Sequence, residues 1–577
     1  MTEHFPDQRP LLIRQLRAWE ESFDEEIGLL KLPFHSPGYH TTLTAEAYPL
    51  VHPTYPSSLY AVALLDSGLE QYEQRAFAVI GRLLTLQDRD REKDTYGIWP
   101  WFYEEPLARM SPPDWNWADF IGKQLVLAAL RHGRRLPDEL RQQVREGVIC
   151  ACEAIVKRDV GPHYTNIAIM GAFVTLIAGE LYDRRDFADY GLRRLEKLHR
   201  YTERLGTFQE FNSPPYSVIA IVELSKIQAA TGHSRAKELA ADLLDGVWRM
   251  VAEHFHPASK QWSGPHSRSY GTVLTDKAKS FLQLATGNEL VFFPDDDLPY
   301  DVDWYASGFR CPEKYAPLFV RQEERSLKTR YFRNEETGFE KWADTYMTPG
   351  FSIGVFREEI MWNQTRGLIA FFDNGGEATY LRLRCLHDGY DYCSAVLSAD
   401  ADNGHYLLGV HFLANGGDTH PGLDRIDGFI EASDLRLRME IGGALDRVAA
   451  ESNGRALTAA IGPIPIKLQT LFASFHERLE DVEGDADRKG WRWEIAREEE
   501  ALCADLVLYS GVRKTIDFRA LRKAAFLFSF SVGEASPWPQ IAVEEQGERV
   551  TAIVLPDERN ALPRRLSVVL RPKELTQ

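Results

Sequence analysis

Apolar residues recur at three- and four-residue spacing through 11–30, 59–86, 120–131, 140–157, 167–182, 187–204, 218–230, 236–254 and 274–284. That period predicts helices over the whole stretch 1–290. The links between them alternate in length. Short ones carry Gly and charge, as in Arg131-His-Gly-Arg134, while long ones are rich in Trp, Tyr, Pro and Asn, as at 96–103 and 112–119. Helix pairs return about every fifty residues, the signature of a helical-hairpin array, and a curved array can close into an (α/α) toroid. From 326 to 577 the period changes to short alternating runs, among them 351–356, 379–384, 406–412, 435–441, 466–475, 504–509, 524–530 and 549–555. Turn sequences such as Asp373-Asn-Gly-Gly376 and Ala414-Asn-Gly-Gly-Asp418 separate them. These signals predict an antiparallel β-sandwich. The stretch 291–325, rich in Pro, Asp and Tyr, reads as a linker. The expected class is therefore α+β, with a toroid at 1–290 and a sandwich at 326–577.

Composition narrows the partners. Lys plus Arg number 67 against 85 for Asp plus Glu, a net charge of −18, which argues against a nucleic-acid partner. A local basic pocket for an anionic substrate remains compatible with that charge. No apolar run is long enough to span a membrane, and the first residues do not read as a signal peptide, so a cytoplasmic protein is expected. Cys150, Cys152, Cys311, Cys385, Cys393 and Cys503 form no CxxC pair and read as free thiols. No phosphate-cradling or dinucleotide fingerprint is present, so no cofactor is expected. His411, Asp418 and His420 bracket a β-turn without metal-motif spacing, and no metal is expected at the site.

Four polar-aromatic loops carry candidate chemistry. One is Pro112–Asp119, with Asp114, Trp115, Asn116, Trp117 and Asp119. The second holds His163, Tyr164 and Asn166. The third is Phe208-Gln-Glu-Phe-Asn-Ser-Pro-Pro-Tyr216, where Pro214 and Pro215 open a helix and bring Glu210, Asn212 and Tyr216 to its start. The fourth is Gly264-Pro-His-Ser-Arg-Ser-Tyr270, with His266, Arg268 and Tyr270. Each loop has a structural reading as helix caps and packed aromatics. Together His, Tyr, Asn and Arg suit β-elimination from a uronate. An Asn or a protonated His drains charge from the carboxylate, a Tyr or His removes the adjacent proton, and a Tyr protonates the leaving oxygen. Arg268 offers a fork for a carboxylate or sulfate. The aromatics Trp115, Trp117 and Tyr164 would stack on sugar faces beside Asn116, Asn166 and Asp119. Hydrolysis needs two carboxylates instead, which Asp114, Asp119 and Glu210 could supply.

The order of the two halves, with Tyr346-Met-Thr-Pro-Gly-Phe-Ser-Ile-Gly-Val355 and Trp362-Asn-Gln-Thr-Arg366 opening the second, resembles the heparinase II/III-type polysaccharide lyases. The third and fourth loops also look like β-glucuronidases built on the same two-part plan. The resemblance implies an (α/α) toroid followed by an antiparallel β-domain. It maps the lyases' Asn, His, Tyr and Arg onto Asn212, His163 or His266, Tyr216 or Tyr270, and Arg268. Catalysis is accordingly expected from Tyr216, Tyr270, His163, His266, Asn212 and Glu210. The expected partner is a uronate-containing glycan cleaved by β-elimination. A β-glucuronidase-type hydrolase and a non-catalytic glycan binder are the alternatives. The broad C-terminal sheets leave room for a homo-oligomer.

Overall fold

The computed structural model describes residues 7–476, 490–498, 500–533, 540–556 and 563–574. Helices fill the first half in the order α1 (Arg9–Glu20), α2 (Thr54–Asp66), α3 (Glu73–Leu86), α4 (Trp117–His132), α5 (Asp138–Arg158), α6 (Thr165–Leu181), α7 (Arg185–Leu205), α8 (Pro214–Ala230), α9 (Ser234–His254) and α10 (Asp276–Ala285). Consecutive helices pair as hairpins, and α2, α4, α6 and α8 pack on one another to form the inner wall of a toroid. Patterning explains which helix lies inside. Along α6, Thr165 through Gly179 are all buried, as a helix covered on every side must be. In contrast, α7 buries a single stripe, Phe187, Gly191, Arg194, Leu195, Leu198, Thr202 and Leu205, and shows charge elsewhere.

Two predicted helices were too long. The run 11–30 stops at Glu20, and Phe23–Asp24 pairs antiparallel with Leu29–Leu30 instead. The Asp24 carboxylate accepts from the backbone N–H of Glu26 and Ile27, which stabilises the turn against helix. The run 59–86 is broken at Gly68, whose φ of +69° lies in the left-handed region.

The stretch 291–325 connects the halves as a packed segment. Trp304 and Phe309 meet the Phe281 ring of α10 at 5.3 and 4.6 Å between centroids. Asp303 closes the inner wall by pairing with Lys123 of α4 at 2.8 Å and with Lys226 of α8 at 2.8 Å.

The second half is a stack of antiparallel sheets. A nine-stranded sheet runs in the order Trp493–Arg497, Ala501–Asp517, Phe429–Gly443, Ala378–His387, Leu368–Asp373, Phe351–Phe356, Glu340–Met347, Arg325–Arg333, with Tyr390–Asp391 on the edge of Ala378–His387. A seven-stranded sheet packs on it, and a three-stranded sheet (Ile541–Gln546, Arg549–Val554, Arg564–Val569) covers the far side. The strand Lys523–Val532 shows the period that holds the layers. Phe526, Phe528 and Phe530 enter the core between the two large sheets, while Ala525 and Leu527 enter the outer one.

The other face of the nine-stranded sheet meets the toroid. His266 and Arg366 form an isolated antiparallel bridge across the junction. A Cβ on Gly354 would lie 1.9 Å from the Gly264 carbonyl carbon, so the two chains can approach this closely only with glycine there. Among the described residues, no helix is long and apolar enough to cross a membrane.

Candidate active site

At the junction of the halves the third and fourth loops come together. Ser213 caps α8 by accepting from the Tyr216 N–H at 3.4 Å, with Pro214 and Pro215 in the first turn. The same Ser213 hydroxyl donates to the Arg268 carbonyl, which ties the two loops to each other. The Tyr216 and Tyr270 hydroxyls stand 2.7 Å apart. Arg268 Nη2 reaches the Tyr270 hydroxyl at 3.5 Å, and its guanidinium lies 4.5 Å over the Tyr216 ring. Tyr270 is 59 % exposed and is the member of the pair open to a ligand. Burial pushes the Tyr216 phenol well above its ordinary range, with Arg268 opposing, so Tyr216 is a proton donor at neutral pH. A phenolate on Tyr270 would have both Tyr216 and Arg268 as donors.

Glu210 sits behind this pair. Its Oε2 accepts from the Asn166 N–H at 3.0 Å, and its Oε1 lies 3.6 Å from Arg268 Nη1. Burial pushes its carboxyl up to about 7, against the pull of Arg268. The sign of the linkage follows. An unfolded Glu ionises near its ordinary 4.5, and the folded one near 7. Between those values the folded state holds the extra proton, so the share of stability due to Glu210 is present below 4.5 and lost as pH rises through 7. Melting temperatures should therefore move in favour of Glu210→Gln over wild type as pH is raised through this window. Parallel curves would mean that Glu210 is already ionised in the fold.

The far wall comes from elements outside the four polar-aromatic loops. Trp362 and Gln364 belong to the segment that enters the nine-stranded sheet, and Gln364 Oε1 accepts from Arg268 Nε at 3.0 Å and Nη2 at 2.8 Å. The Trp362 ring lies 5.6 Å from the same guanidinium. His420, in a loop of the sheet half, packs edge-on to Trp362 and to Tyr39 at 5.1 and 4.9 Å. His420 Nδ1 accepts from the N–H groups of Gly422 and Leu423, which assigns its proton to Nε2. Tyr39 accepts from Gln364 Nε2 at 3.4 Å, and neighbouring His40 bonds the Pro112 carbonyl at 2.7 Å. Tyr164, whose phenol burial raises, receives the Asn116 amide at 3.4 Å and lies within the field of Arg268 and Glu210. Tyr270 also lines an apolar chamber of about 440 Å³ between α2, α4 and α8, with Tyr55, Phe120 and Val218.

Several expected site residues serve the scaffold instead. Asn212 is fully buried at a φ of +48°, a conformation Asn tolerates better than most residues. Its Nδ2 donates to the Ser263 and Pro265 carbonyls, and its Oδ1 accepts from Trp262 Nε1. Every side-chain polar atom is thus engaged in joining the two loops. His266 Nδ1 bonds the Asn212 carbonyl at 2.6 Å, and burial lowers the ring to about 3, so it is not the protonated His that the sequence reading called for. His163 is exposed to solvent. Trp117 stacks on Trp101 at 5.1 Å and donates to Thr54, while Trp115 donates to the Asp94 carbonyl beside a separate groove. The Trp117 ring is thus taken up by Trp101, and Trp115 lies at that separate groove and not beside the Tyr216–Tyr270 pair. Asp119 faces Arg194 between α4, α6 and α7, where burial raises it to about 7. Asn116 holds Arg158 through Oδ1 at 2.6 Å, and Asn166 presents its backbone to Glu210. The buried Asp114 accepts from Trp101 Nε1 and is raised by burial, opposed by His40. In the sheet half, Asp418 bonds His387 at 2.9 Å, His411 lies in the strand His405–Phe412, and His420 belongs to the cleft, so the three do not form one cluster. In the sequence, nothing marked Tyr39, and His420 drew attention only as part of the turn with His411 and Asp418 and not as a partner of the four loops. Only the proximity of Trp362-Asn-Gln-Thr-Arg366 to the start of the strands hinted at that segment.

Residues 20–288 match a domain family of unknown function, DUF8769. No curated protein matches. Solved structures with a similar course include heparinase III, at 12% identity and TM-score 0.39 over 89% of this chain and 82% of that one. A heparan sulfate lyase HepC mutant from Pedobacter heparinus aligns at 9% identity and TM-score 0.35, covering 99% and 90% of the two chains. The chondroitin AC lyase of Streptomyces coelicolor A3, in complex with chondroitin sulphate, aligns at 10% identity and TM-score 0.44, covering 95% and 83%. Superpositions this loose carry no inference about chemistry.

Proposed function

We propose that the protein is a carbohydrate-active enzyme that cleaves a uronate-containing oligosaccharide by β-elimination. The reading rests on one observation, the Tyr216–Tyr270 hydroxyl pair with the Arg268 guanidinium against it. In this scheme Tyr270, as the phenolate, takes the proton next to the uronate carboxylate. The electron pair moves into the carboxylate as an enolate, which Arg268 and the His420 N–H stabilise. Its return forms the ring double bond and expels the glycosidic oxygen. That oxygen takes a proton from the Tyr270 phenol or from Tyr216. The rings of Tyr39, Tyr164 and Trp362 offer apolar faces for the sugar. The Arg268 guanidinium gives this part of an acidic protein a fixed positive charge, which suits an anionic substrate.

One observation favours a second chemistry. Glu210 retains its proton up to about 7, as a general acid for glycoside hydrolysis must, and the buried Asp114, which acts with Glu210 on Tyr164, is a candidate for the second carboxylate. A single assay separates the two. The protein is incubated with a panel of uronate oligosaccharides while the absorbance of a conjugated unsaturated uronate and the release of reducing ends are followed together. Both signals rising in step support elimination. Reducing ends without absorbance overturn it in favour of hydrolysis, and neither signal across the panel removes the uronate reading.

A further inference from the structure

Arg366 is a buried cation that lacks an anionic partner. Its side chain is 6 % exposed, its Nη1 donates to the Asn363 carbonyl, and its Nε finds no hydrogen-bond partner among the described residues. No carboxylate among the described residues lies within 4.0 Å of it. Two carboxylates are near, but other arginines hold them. Asp391 is gripped by Arg384 through Nε at 2.8 Å and Nη2 at 2.7 Å. Glu440 receives Arg382 Nε at 2.7 Å, Arg384 Nη1 at 2.6 Å and the Tyr380 hydroxyl at 2.9 Å. Three guanidinium groups thus face two carboxylates, a surplus of one positive charge. The next arginines on this sheet face, Arg436 and Arg438, are held by three carboxylates, Asp434, Asp505 and Glu498, and among the described residues none of these three lies within ion-pair distance of Arg366, Arg382 or Arg384. Arg366 keeps its charge at neutral pH although burial and Arg382 lower it to about 10. An uncompensated charge in such a site is strongly unfavourable, and a counter-ion removes that penalty.

Arg366, Arg382, Arg384 and Asp391 line one small internal space of about 10 Å³. That is room for one water-sized or monatomic species, too little for a sulfate, phosphate or carboxylate. We propose that this space is a binding site for one monatomic anion, chloride in the cell, held by the Arg366 guanidinium with Arg382 and Arg384 beside it.

The site is connected to the cleft through a short segment. The Arg366 backbone bridges to His266, donating to its carbonyl at 2.9 Å and accepting from its N–H at 3.2 Å. Two residues earlier, Gln364 accepts from the Ser269 N–H with its backbone and from Arg268 with its side chain. An anion that fixes Arg366 therefore also fixes the support of Arg268.

The test is anomalous diffraction from crystals of the full chain soaked in bromide, with chloride titrations of thermal stability beside it. One bromide peak between Arg366 and the Arg382–Arg384 pair is expected, and it should vanish in Arg366→Met. The wild-type melting temperature should rise by about 1 °C for each tenfold increase in chloride beyond its dissociation constant, with gluconate at equal ionic strength as the control. No peak in wild-type crystals, or equal stability in chloride and gluconate, overturns the proposal. A peak that persists in Arg366→Met does so too. If that variant does not fold, the wild-type peak and titration decide the matter.

Discussion

Tyr270→Phe should lower kcat by about 10²–10⁴-fold while substrate binding changes little, because a proton-transfer group contributes about that much and the ring still packs on the sugar. Tyr270 is the exposed member of the hydroxyl pair, and both other groups at its oxygen, Tyr216 at 2.7 Å and Arg268 at 3.5 Å, can donate to a phenolate. The loss should therefore fall on kcat and not on KM, as for an interaction made only in the transition state. Tyr216→Phe removes one of the two donors and should reduce the rate by a smaller factor. Glu210→Gln should be the mildest of the three, since Glu210 accepts from the Asn166 backbone and touches the reacting pair only through Arg268. The ranking is the test. If steady-state kinetics put Glu210→Gln or Asp114→Asn far below Tyr270→Phe, the chemistry is hydrolysis and the tyrosines are sugar platforms.

The second large effect concerns stability. Asp303→Ala should destabilise the helical half by about 3–5 kcal/mol, the usual cost of removing one member from a buried charge cluster. Lys123 and Lys226 are 1 % and 2 % exposed, and each contacts both Asp303 and Glu223. Two cations and two anions balance. Without Asp303, two ammonium groups are left with one carboxylate inside the toroid wall. Gln124 Nε2 would also lose its acceptor at 2.9 Å. Lys123 and Lys226 hold the Asp303 carboxyl well below its usual range, so its stabilisation is present above pH 3.8 and is lost only in stronger acid. Urea unfolding followed by helical circular dichroism at neutral pH measures the effect. A midpoint unchanged by Asp303→Ala would mean that the segment 291–325 is dispensable for closing the ring.

Both predictions depend on residues that the linear sequence shows to very different degrees. The division into a helical and a strand half was legible because burial imposes a 3.6-residue period on α7 and a two-residue period on Lys523–Val532. The start of α8 was legible too, since Pro214 and Pro215 are compatible with a first turn and with little else helical. These are local consequences of backbone geometry, and a short window of sequence contains them. The break at Gly68 and the turn at Asp24 were missed because one glycine and one carboxylate outweighed an apolar pattern that ran through them.

The direction in which each loop side chain points was settled only by tertiary contacts. Asn212 and Tyr216 lie four residues apart in one loop, yet a φ of +48° turns Asn212 inward onto Trp262 and the Ser263 and Pro265 carbonyls, while Tyr216 meets Tyr270. Trp117 and Asp119 face the interior because α4 begins at Trp117 and its first turn lies against Trp101 and Arg194. Trp362, Gln364 and His420 reach the cleft because the nine-stranded sheet docks where Gly354 lets Gly264 approach. By itself the sequence determined the two periods, the helix start at 214 and the polar loops available for chemistry. The tertiary structure decided which of those polar groups face one another, because that depends on contacts between residues up to 325 positions apart, for which no local period exists.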